Sequence, residues 1–130
     1  MITSDAYNYI NILNKAASAS WTKNEIIANN IANVDTPEFK RSDLNFENLL
    51  KDAMTQRGTK NMDKKVGNIN LNKLNPEIYT DYEELSYRYD GNNVDIDTEN
   101  AYLADNQIKY YAYLNAINQE FDRIKMVLRK

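Results

Sequence analysis

Tyr110-Tyr111-Ala112-Tyr113-Leu114-Asn115-Ala116-Ile117-Asn118-Gln119-Glu120-Phe121-Asp122-Arg123-Ile124-Lys125-Met126-Val127-Leu128 carries apolar side chains at Tyr110, Leu114, Ile117, Phe121, Ile124 and Leu128. This 4-3-4-3-4 spacing puts all six on one stripe of an α-helix. Extended backwards, the same register takes in Gln107, Leu103, Asn100 and Ile96, so eight of ten seam positions are apolar. A seam of that length requires a partner.

The other end of the chain supplies a candidate. Ile10, Leu13, Ala17, Ser20, Asn24, Ile27, Ile31 and Val34 follow one another at three- and four-residue steps, with Ser20 and Asn24 as polar interruptions. Burying a large apolar side chain is worth roughly 1.5–3 kcal/mol, so pairing the two ends contributes on the order of ten kcal/mol before ordering entropy is charged. The fold class expected is mainly α: two long terminal helices packed as a coiled-coil-like pair, joined by a small, partly irregular insertion with room for short β-strands. Residues 1–36, 37–93 and 94–130 are read as N-terminal helix, insertion and C-terminal helix of one domain. An antiparallel pair closed within one chain and seams that dock other subunits fit this periodicity equally. A buried amide at Asn24, Asn100 or Gln107 would fix helix register at some cost in stability.

Between the ends, the Val34-Asp35-Thr36-Pro37 turn ends a first helix expected over residues 5–33, because the residue before a proline is pushed out of the α region. A short helix over residues 43–54 is expected, capped by Ser42 or Asp43. Residues 58–75 read as loop, with Met62, Val66, Ile69, Leu71 and Leu74 too sparse to build a core. The Tyr-rich stretch 78–89 suggests one or two short strands around Asp81-Tyr82-Glu83-Glu84. Asp90-Gly91-Asn92-Asn93 is a turn, after which Asp95 or Asp97 caps the last helix and Asp97 and Glu99 face its positive dipole end.

Composition limits the chemistry. A net charge of -3, with a mean hydropathy of -0.73 over 130 residues, suits elongated helices over a thin core. Lysine and arginine are spread along the chain, so no nucleic-acid footprint is present. With no cysteine and no histidine, Ser-His and Cys-His nucleophiles and the usual zinc ligands are excluded. The run 90–99 alternates oxygen ligands, yet a calcium loop needs glycine sixth and glutamate twelfth, where this chain has Asp95 and Ala101. The acid pairs Glu83–Glu84 and Asp95–Asp97 read as solvated, so no catalytic residue, cofactor or metal is expected. Residues 1–12 lack the basic and apolar regions of a secretory signal, and no run approaches the 18 apolar residues of a membrane span. The chain is therefore expected in the cytoplasm unless a separate export system carries it.

Ala28-Asn29-Asn30-Ile31-Ala32-Asn33-Val34-Asp35-Thr36-Pro37-Glu38-Phe39-Lys40-Arg41 closely resembles the signature of bacterial flagellar rod, hook and related axial proteins, in which Thr-Pro is followed by Gly-Tyr. Asn30, Asn33, Asp35, Thr36 and Pro37 form its turn. Asp90-Gly91-Asn92-Asn93-Val94-Asp95, continued by Ile96-Asp97-Thr98-Glu99, resembles the second signature of the short, proximal-rod branch. The resemblance spans the chain except roughly residues 55–74. Glu38-Phe39 departs from the family's Gly-Tyr; if the glycine serves a positive φ, Glu38 costs on the order of 1 kcal/mol there.

The resemblance implies a structural subunit of the flagellar basal body, with partners among other rod proteins and copies of itself. It also implies passage through the flagellar type III export apparatus without a cleaved signal, and no direct insertion into the membrane. Terminal helices of such proteins pack with their neighbours into a hollow helical tube that transmits motor torque. In that reading Ile10, Leu13, Ala17, Ile27, Ile31, Val34, Leu103, Tyr110, Leu114, Ile117, Phe121, Ile124 and Leu128 line subunit interfaces. The alternative is a helical adaptor or export chaperone that binds partner helices.

Overall fold

In a computed structural model of the chain, residues 4–55, 61–85 and 88–129 are described, the side chains of residues 4–6 excepted. The expected pair of long helices is present as α1 (Ser4–Ala32) and α4 (Ile96–Leu128). They run antiparallel, since Ser20 meets Asn106 while Asn30, further along α1, meets Glu99, earlier on α4. Between them lie β1 (Ser42–Leu44), α2 (Phe46–Met54), α3 (Met62–Gly67), a single 3-10 turn (Leu71–Lys73) and β2 (Ile78–Thr80). The strands pair antiparallel, with Asp43 opposite Tyr79.

The insertion is built differently from the sequence expectation. Ser42 and Asp43 belong to β1, and α2 begins after Asn45, whose side chain makes no capping hydrogen bond. Pairing with β2 and the grip of Asn30 on Ser42 extend that backbone, and tertiary contact overrides the helix-start signal. The stretch read as loop also contributes to the core. Val66, Ile69 and Leu74 are buried with Leu44 and Phe46 against Ile12, Ala16, Ala19 and Ile26 of α1, and Leu71 packs on the same cluster, while Met62 stays exposed. Three apolar side chains brought to one helix face by α3 and the 3-10 turn suffice, because α1 provides the rest. Tyr9 donates to Asp63 and Lys15 to Asn75, pinning this part of the insertion to α1. In the stretch 78–89 the strand is β2 alone among the described residues, and it precedes Asp81; residues 86–87 lie outside the described set.

Helix α1 is therefore buried on two sides, with α4 on one and the insertion on the other. The α4 face turned toward it carries Glu99, Leu103, Asn106, Tyr110, Tyr113 and Ile117, whereas Asn100 and Gln107 are exposed. A straight helix drifts about 20° per heptad from a strict seven-residue repeat, so extrapolating the C-terminal seam backwards missed its polar half. Asn106 is the amide that fixes register. It donates to the Ser20 carbonyl and to Asn24 Oδ1, and Ser20 Oγ donates to it in return. Asn24 is thus engaged at the helix interface, where the sequence leaves a buried amide and a solvated one equally open.

Candidate functional site

The two signatures are 52 residues apart from Arg41 to Asn93 and adjoin in space, as the hydrogen bond from the Arg41 amide to Asn93 Oδ1 shows. The first signature ends α1: Asn33 donates to the Asn29 carbonyl and side chain, and its own carbonyl accepts from the Thr36 amide. Thr36 Oγ1 donates to Asn33 Oδ1, so the threonine grips a neighbouring side chain and does not accept from a backbone amide as a turn hydroxyl usually does. Pro37 and Asp35 stay exposed. Glu38 has a φ of 60°, the left-handed region, which explains why glycine suits this position. Its amide donates to the Asp90 carbonyl at 2.8 Å.

Gly91, with φ 74°, lies directly across from Glu38. A Cβ built there would stand 3.7 Å from Glu38 Cα, ordinary contact, so the glycine is required by backbone conformation and not by space. Two left-handed residues, one from each signature, thus form the crossing point, an elbow between the end of α1 and the start of α4.

Three buried asparagines act as backbone surrogates around it. Asn92 donates to the carbonyls of Asn33 and Thr36 and accepts from the Val94 amide. Asn93 donates to the carbonyls of Asp81 and Glu83 while accepting from Arg41. Asn30 accepts from the Ser42 amide, donates to the Ser42 carbonyl and also reaches Glu99 at 3.1 Å. Each has an acceptor and two donors on one planar group, so one side chain holds strands of chain that form no regular ladder. Val94 is buried beside them, and Asp95 caps α4 by accepting from the amides of Asp97 and Thr98. The Thr98 hydroxyl and those amides hold the Asp95 carboxyl below its usual range.

Arg41, the last residue of the first signature, closes the site. Its Nε donates to buried Glu99 at 2.7 Å, and its terminal nitrogens reach Asp81 at 3.2 Å and Asp43 at 3.3 Å. Burial alone would lower the guanidinium pKa, but the bond to Glu99 and the nearby carboxylates raise it above its usual value. Burial likewise opposes the charge on Asp43, yet the Leu44 amide and Lys23 outweigh it and hold the carboxyl below its usual range. Sequence reasoning assigned Glu99 to the helix dipole; its position one heptad before Asn106, on the face turned to α1, was the sign of a buried partner. On the far side, Arg88 bonds Asp90 and the Val34 carbonyl, and keeps the Asp90 carboxyl low.

Around Arg41, the carboxylates of Asp43, Asp81 and Glu99 each face the guanidinium. Among the described residues no three acids converge as a metal site.

The family described as "Flagella basal body rod protein" matches residues 10–40, which run from α1 through the elbow to the residue before Arg41. "Flagellar basal body rod protein FlgB" of Bacillus subtilis (strain 168) is 36% identical over 116 residues, covering 89% of this chain and 89% of the relative. The chain belongs to the FlgB family of flagellar basal body rod proteins. The FlgB protein of Borrelia hermsii is 36% identical over 132 residues, 95% of this chain and 93% of that one. That of Escherichia coli (strain K12) is 33% identical over 119 residues, covering 82% and 83%. The FlgB family is structural and not enzymatic.

The residues read as an interface seam fall into three groups. Ala17 and Ile27 are buried within the chain. Ile10, Leu13, Ile31, Val34, Leu103, Tyr110, Leu114, Ile117 and Ile124 are half-buried. Phe121 and Leu128 are exposed, at 44% and 69%.

Proposed function

We propose that the chain is a structural subunit of the proximal rod of the flagellar basal body, assembling through its terminal helices into a hollow helical tube that transmits torque. The observation that carries this reading is the paired elbow. Both family signatures are spent on locking α1 and α4 at one end, which makes the antiparallel pair a rigid lever. The half-buried seam side chains and the exposed end of α4 remain for neighbours, including other rod proteins and further copies. Heterologous contacts between unlike faces generate open helical assemblies, and torque passes through interlocked helices without chemistry on the chain. Export through the flagellar type III apparatus without a cleaved signal belongs to the same reading. So do the division into residues 1–36, 37–93 and 94–130 and the absence of direct membrane insertion; no described helix is long and apolar enough to cross a membrane.

Cell fractionation tests it against the adaptor alternative. A tagged chain that complements motility is expected outside the inner membrane, co-purifying with detergent-extracted basal bodies. Retention in the cytoplasm, with none in basal bodies of motile cells, would refute it.

A further inference from the structure

A groove of about 360 Å³ runs along the C-terminal half of α1, with Ile26, Phe39 and Ile78 as its apolar lining and Thr22, Glu25, Asn29, Asn30 and Ser42 as its polar lining. Its volume falls in the range of about 300–1,000 Å³ typical of ligand-sized clefts, and Ile78 at its edge is 58% exposed. Glu25 carries no ion pair among the described residues, so the groove joins three apolar side chains to one unpaired negative charge.

The opposite end of the molecule has the complementary character. In the last turn of α4, Met126, Val127 and Leu128 are 67%, 62% and 69% exposed. A helix end that is apolar on several sides belongs inside something. Arg123 and Lys125 are engaged by Glu120 and Asp122 of their own helix, whereas Arg129 carries no ion pair among the described residues.

We infer that the exposed tip of α4 of one copy seats in the α1 groove of a second copy, head to tail, with Met126 or Leu128 on its apolar side chains and Arg129 facing Glu25. The contact joins unlike faces and does not close on itself, so it propagates. It rests on the reading of the chain as an assembling subunit and specifies which face meets which.

The absence of cysteine makes a clean test available. Residues 22 and 126 lie about 30 Å apart within one molecule at 1.5 Å of helix rise per residue, far beyond disulfide reach. Full-length chain carrying both Thr22→Cys and Met126→Cys is expected, on oxidation, to give a ladder of dimers, trimers and longer species whose disulfides, mapped by mass spectrometry, join residue 22 to residue 126; a ladder joined 22 to 22 and 126 to 126 would overturn the contact. Adding Glu25→Lys should raise the concentration needed for half-maximal crosslinking about fivefold, the scale of one exposed ion pair, and Arg129→Glu in the same chain should restore it. Circular dichroism confirms that each variant keeps its helices. Absence of a ladder, dimers only, or failure of Arg129→Glu to restore it overturns the proposal. Incorporation of the ladder-deficient chain into basal bodies would leave the rod-subunit reading standing while this contact falls.

Discussion

Asn92 shows how much of this fold depends on single polar side chains. It is 1% exposed and makes three hydrogen bonds to backbone of two separate segments. Truncation to alanine leaves the buried Val94 amide without an acceptor, at roughly 1–3 kcal/mol, and takes one of two partners from the Asn33 and Thr36 carbonyls, at about 0.5–1.5 kcal/mol each. Asn92→Ala is therefore expected to lose on the order of 3 kcal/mol in a urea titration, and a loss within error would mean water replaces the side chain readily. Glu38 works the other way. Its left-handed backbone costs about 1–2 kcal/mol for a residue with a Cβ, and glycine relieves that at an entropic cost of up to about 1 kcal/mol. Glu38→Gly should thus gain about 0.5–1 kcal/mol, and destabilisation would show that the Glu38 side chain has a partner role of its own. Asp43 sets a limit in acid. Its folded pKa lies below the ordinary value of 3.8, so its contribution is complete above that value and is lost as the pH falls through the folded pKa. Stability should drop below about pH 4, and Asp43→Asn should flatten the drop; an unchanged acid limb would place the effect elsewhere.

At the scale of elements, α4 is unevenly held. Its first half is tied by Glu99, Asn106 and the Lys109 bridges to Glu47 and Asp105, while its last two turns meet little. Amide exchange in the free chain should accordingly be slowest between Glu99 and Tyr110 and fastest beyond Phe121, with a steep gradient along one helix. Uniform protection to Leu128 would show the tip covered within a single molecule. The same unevenness explains what was legible beforehand. Both long helices were readable because apolar spacing repeats over many turns, and the turns because Pro37 fixes its φ while Gly91 admits a left-handed one. The core formed by Val66, Ile69 and Leu74 was hidden, since three residues on short irregular elements show no period; their partners Ile12, Ala16 and Ala19 lie on a second face of α1 that the seam count ignored. At the elbow, the motif residues could be named, but not the cation at its centre. Arg41 looked like a signature's trailing basic residue, and its meeting with Glu99 across 58 positions is a property of the folded chain.

For the whole molecule, the division of labour between fold and assembly separates two kinds of seam residue. Ile27 is 1% exposed within the chain, so a charge there must be buried and left unpaired, at a cost of several kcal/mol. Ile27→Asp should unfold the chain, seen as loss of helical signal and a collapsed melting transition. Phe121 is 44% exposed in the free chain, and aspartate at that position remains solvated. Phe121→Asp should therefore leave the melting transition of the purified chain within about 0.5 kcal/mol of the parent, as surface substitutions do. In the assembled rod the same charge would be placed in a helix contact. Cells carrying only Phe121→Asp are expected to export the chain, fail to retain it in basal bodies and lose motility. Normal swimming with this variant would remove Phe121 from the assembly surface, and a matching loss of monomer stability would show that the end of α4 serves the fold of its own chain.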